Sequence, residues 1–317
     1  MMKYSLARLL QAIPTLILLS VISFLLIHVV PGGPAVVMLG DKATPALIAQ
    51  INRSLGLNKP LWMQYGIWLT QLLQGNLGYA YSYHQSVASL IAINLPRTLI
   101  LVVTAIAISH VIAVIVGIYQ AAHRDQPIDH LLTALLYFLY AMPTFWLGVL
   151  MVSIFSITLG WFPSGGLYNP LLTQPTFGSY IDHLVLPASV LIIGSVAGWG
   201  RYMRSSMSET LVQDYIRTAR AKGLNERAIL VRHALKNSLL PLITLVGMSL
   251  PGLFSGALII EIIFDYPGMG LLFWNAAQQR DYPILLGIVI MVGVLTILGN
   301  LLADILYAVV DPRIQYQ

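Results

Sequence analysis

Six apolar runs of membrane-span length constrain this chain more than any other feature. They read as Leu9 to Val30, Leu99 to Tyr119, Leu131 to Leu159, Leu184 to Gly200, Leu242 to Phe264 and Ile284 to Val310. A helix crosses the hydrocarbon core with about 20 apolar residues. Only 9% of the 317 residues are charged and 57% are hydrophobic, whereas soluble domains carry about 25% charged residues. The expected fold is an all-α polytopic membrane protein with about six transmembrane helices. The first run follows a short basic segment with Lys3 and Arg8. A signal peptide is the alternative there, but its apolar region would be about 7–15 residues. The run therefore reads as a retained span.

Punctuation inside and between the runs adds detail. Pro143 falls within the third run, which exceeds the bilayer's need, so a tilt or kink is expected there. The fourth run carries Gly194, Ser195, Gly198 and Gly200, small residues that suit close helix packing in lipid. Residues 35–96 form the longest stretch outside the runs. Thr44-Pro45 is a helix start, with proline at the first helical position, and Gly56 a stop. Lys59-Pro60 starts a second helix over Leu61 to Leu73, with Trp62, Tyr65 and Trp68 on it. Gly75-Asn76-Leu77-Gly78 is a turn, and Ser86 to Asn94 a third short helix ending at Pro96. These apolar and aromatic residues imply a small folded cap, or an aromatic anchor at the membrane interface. The domain reading is thus 1–34 for the tail and first span, 35–96 for the external cap and 97–317 for the core.

Glu209 to Pro241 is the most charged long segment, holding six of the seventeen Lys and Arg residues. Its chemistry predicts two helices with a break. Ser206 and Glu209 fit a capping box. Leu211, Val212, Tyr215, Ile216 and Ala219 form one apolar stripe. Gly223 sits where a helix stops, and Asn225 caps a second helix with Glu226 in its first turn. Cations bias toward the cytoplasm. An inside N-terminus puts twelve Lys and Arg residues in the cytoplasm and five outside, four of the five in or beside the long insert. Both termini and the charged loop are then cytoplasmic.

Several chemistries have no apparatus here. There is no cysteine, and the seven histidines show no HxxxH or HExxH spacing, so no metal site is expected. No GxxxxGK[ST] loop is present for ATP and no GxSxG for acyl transfer. The net charge of +5 reflects the cytoplasm-facing loops and is not a nucleic-acid signal. Glu261, Asn300 and Asp304 lie in or near the apolar runs, where ionisable groups are costly. Asn300 and Asp304 are four apart and share a helix face. They read either as a polar strip on a translocation path or as hydrogen bonds locking spans together. A proton-coupled secondary transporter, with Glu261 or Asp304 as carrier, is the rival from another class.

The run DYIRTARAKGLNERAILVRHALKNSLLP, Asp214 to Pro241, resembles the cytoplasmic loop of ABC-importer permeases, in the version of the dipeptide/oligopeptide/nickel family. Arg217-Thr218-Ala219 stands where the short consensus has Glu-Ala-Ala. Gly223 falls on its glycine and Leu240-Pro241 on its closing Leu-Pro. The arginine at 217 and the longer gap to Leu240 depart from the general consensus and match the peptide branch. Further resemblance lies in His28 to Pro34, in LGLNKPLWMQYGIWL with GNLG, and in Glu261, Pro267-Gly268-Met269-Gly270, Arg280-Asp281-Tyr282-Pro283, Asn300, Asp304 and Asp311-Pro312-Arg313, in that order. The resemblance implies a bacterial inner-membrane permease that imports di- or oligopeptides by ATP-driven alternating access, or nickel or a metal chelate as the alternative cargo. It implies a second permease as heterodimer partner, two cytoplasmic ATPases and an external substrate-binding protein above the 35–96 cap. ATP and Mg would sit on the ATPases and no cofactor on this chain. The coupling contact would comprise Arg217, Thr218, Ala219, Arg220, Ala221, Lys222, Gly223, Leu224, Asn225, Glu226, Arg227 and Ala228. The apolar side would fill a groove on the ATPase, and Arg220, Lys222 and Arg227 would set orientation. Pro267, Gly268 and Gly270 would form an outer gate.

Overall fold

The computed structural model describes the backbone of residues 2–29, 35–36, 39, 43–54, 56–239, 242 and 257–310. Side chains are described for these except 2–9, 12, 26–29, 54 and 302–310. Leu240-Pro241, most of the fifth run, the Asp304 side chain and Asp311 to Arg313 lie outside the described residues. The chain divides into two compact units: Thr98–Pro267 with Leu298–Gln317, and Met2–Arg97 with Gly268–Ile297.

The first run is one helix, Met2–Val29. The second is longer than its apolar core: a single helix covers Val87–Ala122 with Pro96 inside it. The short third helix expected at Ser86 to Asn94 is therefore the first part of this same helix. Proline removes one backbone bond but does not end a helix whose neighbouring turns are held by packing. Val87, Leu90 and Ile91 are buried with Met269, Leu272, Ala276, Ile284 and Ile288 in one apolar cluster.

The third run is broken rather than kinked. Pro127–Ala141 and Thr144–Met151 are separate helices, and the second continues as a π-helix over Val152–Thr158. Met142 is extended, the usual state of a residue before proline, and the two arms meet at 99°. The fourth span runs Phe177–Leu211, far past Leu184 to Gly200. Thr176 caps its start by accepting from the Ser179 N–H. Its far end stays helical because Trp199, Met203, Met207 and Thr210 continue a buried stripe at helical spacing beyond the first cations. Glycines give close crossings in this unit. A Cβ on Gly117 would meet Met203 Cβ at 2.6 Å, and one on Gly200 would meet Leu136 at 3.4 Å. Leu242 and residues 257–263 are the described helical parts of the fifth run. The sixth span is Tyr282–Val310.

The insert contains the expected Pro45–Ser54 and Leu61–Leu73 helices, with Gly56 in the left-handed region at φ +69°. It does not bury its aromatics in a core of its own: no residue of Leu61–Leu73 is fully buried and Trp62 is 72% exposed. Tyr65 and Trp68 instead pack on Phe24 of the first helix, at centroid distances of 5.4 and 5.8 Å. Tyr65 also shares a 2.8 Å hydrogen bond with Ser20. A ten-residue and a thirteen-residue helix have too little apolar surface to fold by themselves. Among the described residues the only strands form a two-residue antiparallel ladder, Tyr79 with Ser86 and Ala80 with Gln85.

Candidate functional site

The charged segment begins while the fourth span is still helical. Ser206 and Glu209 lie inside that helix, so they do not cap a new one. Ser206 Oγ donates to the Ser238 carbonyl at 3.0 Å instead. Ser238, fully buried, has its Oγ 2.9 Å from Thr210 Oγ1. These contacts tie both ends of the loop together across 32 residues.

Between these ends the chain makes the expected break. An eight-residue helix, Asp214–Ala221, stops at Lys222. Gly223 is left-handed at φ +77°, its N–H bonds the Arg220 carbonyl at 2.9 Å, and the Leu224 N–H bonds the Ala219 carbonyl at 3.3 Å. This paired closure satisfies carbonyls that a helix end leaves free. Asn225 Oδ1 then accepts from the Ala228 N–H at 2.7 Å and starts a run to Ser238 that widens to a π-helix at Ile229–Ala234.

The apolar stripe faces the protein itself. Ile216 and Ala219 are buried with Met203, Met207, Ala121, Ile229, Ala234 and Leu242. Tyr215 and Val212, also read into that stripe, are exposed, and the Tyr215 hydroxyl accepts from Asn237 Nδ2 at 2.8 Å. The Ile216 and Ala219 side of the loop is thus covered by this chain's own helices. Every residue from Arg220 to Arg227 is exposed. Leu224, 41% exposed at the tip, is the large apolar side chain in that stretch. Arg220 pairs with Glu226 at 2.9 Å and Arg217 with Asp214 at 3.5 Å.

Behind the loop stands a pair that the local pattern did not single out. Asp129, fully buried in the first turn of the Pro127–Ala141 helix, accepts from Arg204 Nε at 2.7 Å and Nη2 at 2.6 Å. Its Oδ2 also accepts from the Asp125 N–H at 3.1 Å. The sequence signal is an acid just after the helix-starting Pro127, where the helix dipole favours negative charge.

The polar residues of the other runs are spread out. Glu261 is fully buried and accepts from Thr98 Oγ1 at 2.6 Å. Asn300 is exposed on the last helix. Pro267 is half-buried, while Gly268 and Gly270 are buried at the start of the Met269–Gln279 helix. The turn before them is anchored by the Gly166 N–H, which donates to the Phe264 carbonyl at 2.8 Å. A Cβ on Gly165 would overlap that same carbonyl oxygen. Gly165→Ala is therefore expected to destabilise by about 1–3 kcal/mol or more, because backbone must move. Gly66→Ala, in a helix with open space around it, should be neutral or mildly stabilising. Thermal unfolding of both variants in detergent checks this; equal midpoints would refute the packing argument.

In the other unit, buried Asp281 accepts from the Ser82 N–H at 2.8 Å, tying the 79–86 hairpin to the start of the last span. Burial, and then the Asp281 charge, push the Tyr81 phenol up to about 12. Among the described residues no group of three or more His, Cys, Asp or Glu side chains is placed to hold a metal.

Long apolar helices, a broken span and a polar loop folded onto them define a polytopic helical membrane protein. Comparison with known proteins makes the class specific. The family of binding-protein-dependent transport system inner membrane components matches residues 112–316, and its N-terminal companion matches residues 1–102. The oligopeptide transport system permease protein AppB of Bacillus subtilis (strain 168) is 40% identical over 317 residues, 100% of both chains. The oligopeptide transport system permease protein OppB of Haemophilus influenzae is 41% identical over 318 residues, again 100% of both. A putative peptide permease protein of Brucella suis biovar 1 is 41% identical over 318 residues, 99% of each chain. A solved structure of the MetNI methionine ABC transporter, inward facing, aligns with a TM-score of 0.59 at 16% identity, over 70% of this chain and 96% of that one. That likeness shows the fold alone. The chain belongs to the family of binding-protein-dependent transport system inner membrane components: it is a multi-pass permease subunit, a transport component and not an enzyme.

Proposed function

We propose that this chain is one of two permease subunits of an ATP-driven bacterial importer of di- and oligopeptides. The observation that carries the reading is 40–41% identity, end to end, with relatives named as oligopeptide permeases. The loop supports it physically. Within Arg217 to Ala228, the exposed stretch Arg220 to Arg227 offers a fixed contact for a cytoplasmic ATPase, with Leu224 at its tip and Lys222 and Arg227 beside it. Because the buried side is packed on the fourth span, a push on the tip passes to Met203 and Met207 without slack. Two ATPases hold ATP and Mg, and this chain holds no cofactor. The partner permease is a different chain, an external binding protein delivers peptide, and both termini lie in the cytoplasm. Alternating access then follows as a two-state rigid-body change. Glu261, through Thr98, locks helices together, and Asn300 is a polar residue of the pathway. The turn of Pro267, Gly268 and Gly270 closes the outer mouth.

The test is reconstitution of the whole transporter in vesicles with labelled tripeptide and its binding protein outside. Uptake should require ATP on the ATPase side and persist when the proton gradient is collapsed. Uptake driven by a proton gradient without ATP would move the assignment to a secondary transporter.

A further inference from the structure

Among the described residues, Arg201 is a cation without an acidic partner, in a place where charge is costly. It lies on the Phe177–Leu211 helix, one turn before Arg204. Arg204 has the Asp129 carboxylate; among the described residues Arg201 has none, and its Nε is buried without a hydrogen-bond partner. Its guanidinium carbon sits 4.8 Å from the ring centre of Tyr137 and 4.3 Å from that of Tyr140. Both rings remain largely exposed.

The helix rise locates this cation. Tyr137 and Tyr140 come eight and eleven residues after Asp129 on the Pro127–Ala141 helix, about 12 and 16 Å further along at about 1.5 Å per residue. The Arg204 head points back to the charged end and the Arg201 head points into the span. Aromatic faces offset part of the cost of a cation there, but they accept no N–H hydrogen bond in the plane of the guanidinium. Its two terminal Nη groups carry no hydrogen bond among the described residues, and side by side they match the two oxygens of a carboxylate. Gly194 and Gly198 lie on the same helix face, at i−7 and i−3. Nothing stands within 4 Å of a Cβ on Gly194, and Gly198 borders the Tyr140 ring at 3.8 Å. The helix surface is thus open at Gly194, and the Tyr140 ring that borders Gly198 also braces Arg201.

We infer that Arg201, braced by Tyr137 and Tyr140, is a specificity-determining residue that binds the carboxylate of a peptide in transit. The inference rests on the peptide reading above. A lipid phosphate is the weaker occupant. Lipid headgroups stay at the interface and are held by clusters of cations, whereas Arg201 is single and points inward.

The experiment uses the complete transporter in vesicles, saturated with one preparation of binding protein, and compares a tripeptide with its C-terminal amide. In Arg201→Gln, uptake of the free carboxylate should fall roughly tenfold or more, the usual weight of a hydrogen bond to a charged group. Uptake of the amide should stay at its wild-type rate, which also shows that the variant folds and assembles. Arg201→Lys should fall between, and Tyr140→Phe, which keeps the ring face, should match wild type. Equal loss of both peptides would make Arg201 structural and overturn the proposal, as would no change for either. An effect seen only with phosphatidylglycerol in the vesicles, and equal for both peptides, would assign Arg201 to lipid. If the wild type hydrolyses ATP but moves neither peptide, the peptide reading itself fails and takes this one with it. If it moves both and only the ratio refuses to change, this inference alone falls.

Discussion

Replacing Asp129 by Asn is expected to destabilise the permease by about 3 kcal/mol, the low end for breaking a buried ion pair, because Arg204 is 30% exposed and regains some water. The shape of the side chain is preserved. What changes is the charge under two short hydrogen bonds from one guanidinium. An amide NH2 in place of one carboxylate oxygen would point donor at donor. Arg204→Lys should also lose stability, since an ammonium cannot make the two-pronged contact. The internal control is Asp125→Asn four residues earlier. That carboxylate is exposed and faces Arg124 at 3.5 Å, a surface pair of little consequence. Thermal unfolding in detergent should show a clear drop for Asp129→Asn and none for Asp125→Asn. Equal midpoints would mean the buried pair does not hold the helices together.

Ile216→Ala is expected to release the Asp214–Ala221 helix from the bundle. Ile216 is fully buried against Met203, Met207 and Ile229, and removing such a side chain costs about 2–5 kcal/mol. An eight-residue helix has no stability of its own to fall back on. The cost should therefore appear as local opening rather than global unfolding. Trypsin reports it directly, since Arg217, Arg220, Lys222 and Arg227 all lie in the exposed stretch. Cleavage there should accelerate roughly tenfold or more, about 1.4 kcal/mol per factor of ten. Val212→Ala, at an exposed neighbour, should cleave at the wild-type rate. Peptide uptake should fall with the first variant and not with the second. Unchanged proteolysis in Ile216→Ala would show that the helix is held some other way.

Local chemistry was legible wherever a few neighbouring residues decide the backbone. Gly223 ends a helix, Asn225 starts one and Pro60 precedes one, because each acts through its own dihedrals or side chain, whereas at Pro143 the expected tilt or kink is a full break. The errors came where tertiary packing decides. Pro96 looked like an end, yet the helix runs through it. Ser206 and Glu209 have the residue types of a helix start, but the buried stripe of Trp199, Met203 and Met207 carries the helix past them. Hydropathy stopped at Arg201 because it weighs charge and not periodicity. The stripe of Ile216 and Ala219 was visible as a stripe; that this chain's own helices cover it was not. Asp129 and Arg204 are 75 residues apart, and no local rule joins them. Trp62, Tyr65 and Trp68 looked like a core because aromatics usually bury, whereas two serve as a bracket on Phe24 and one stays at the surface.

The most direct test of the coupling claim uses the absence of cysteine from the chain. A single Leu224→Cys variant, assembled with its ATPases and treated with a short thiol-to-amine crosslinker, should join this chain to an ATPase, with a yield that changes when ATP is bound. Tyr79→Cys, exposed on the hairpin, should give no such product. A crosslink from position 224 that follows the nucleotide state would place the Arg217 to Ala228 loop at the ATPase. An active transporter with no ATPase crosslink from position 224 in any nucleotide state would contradict that placement.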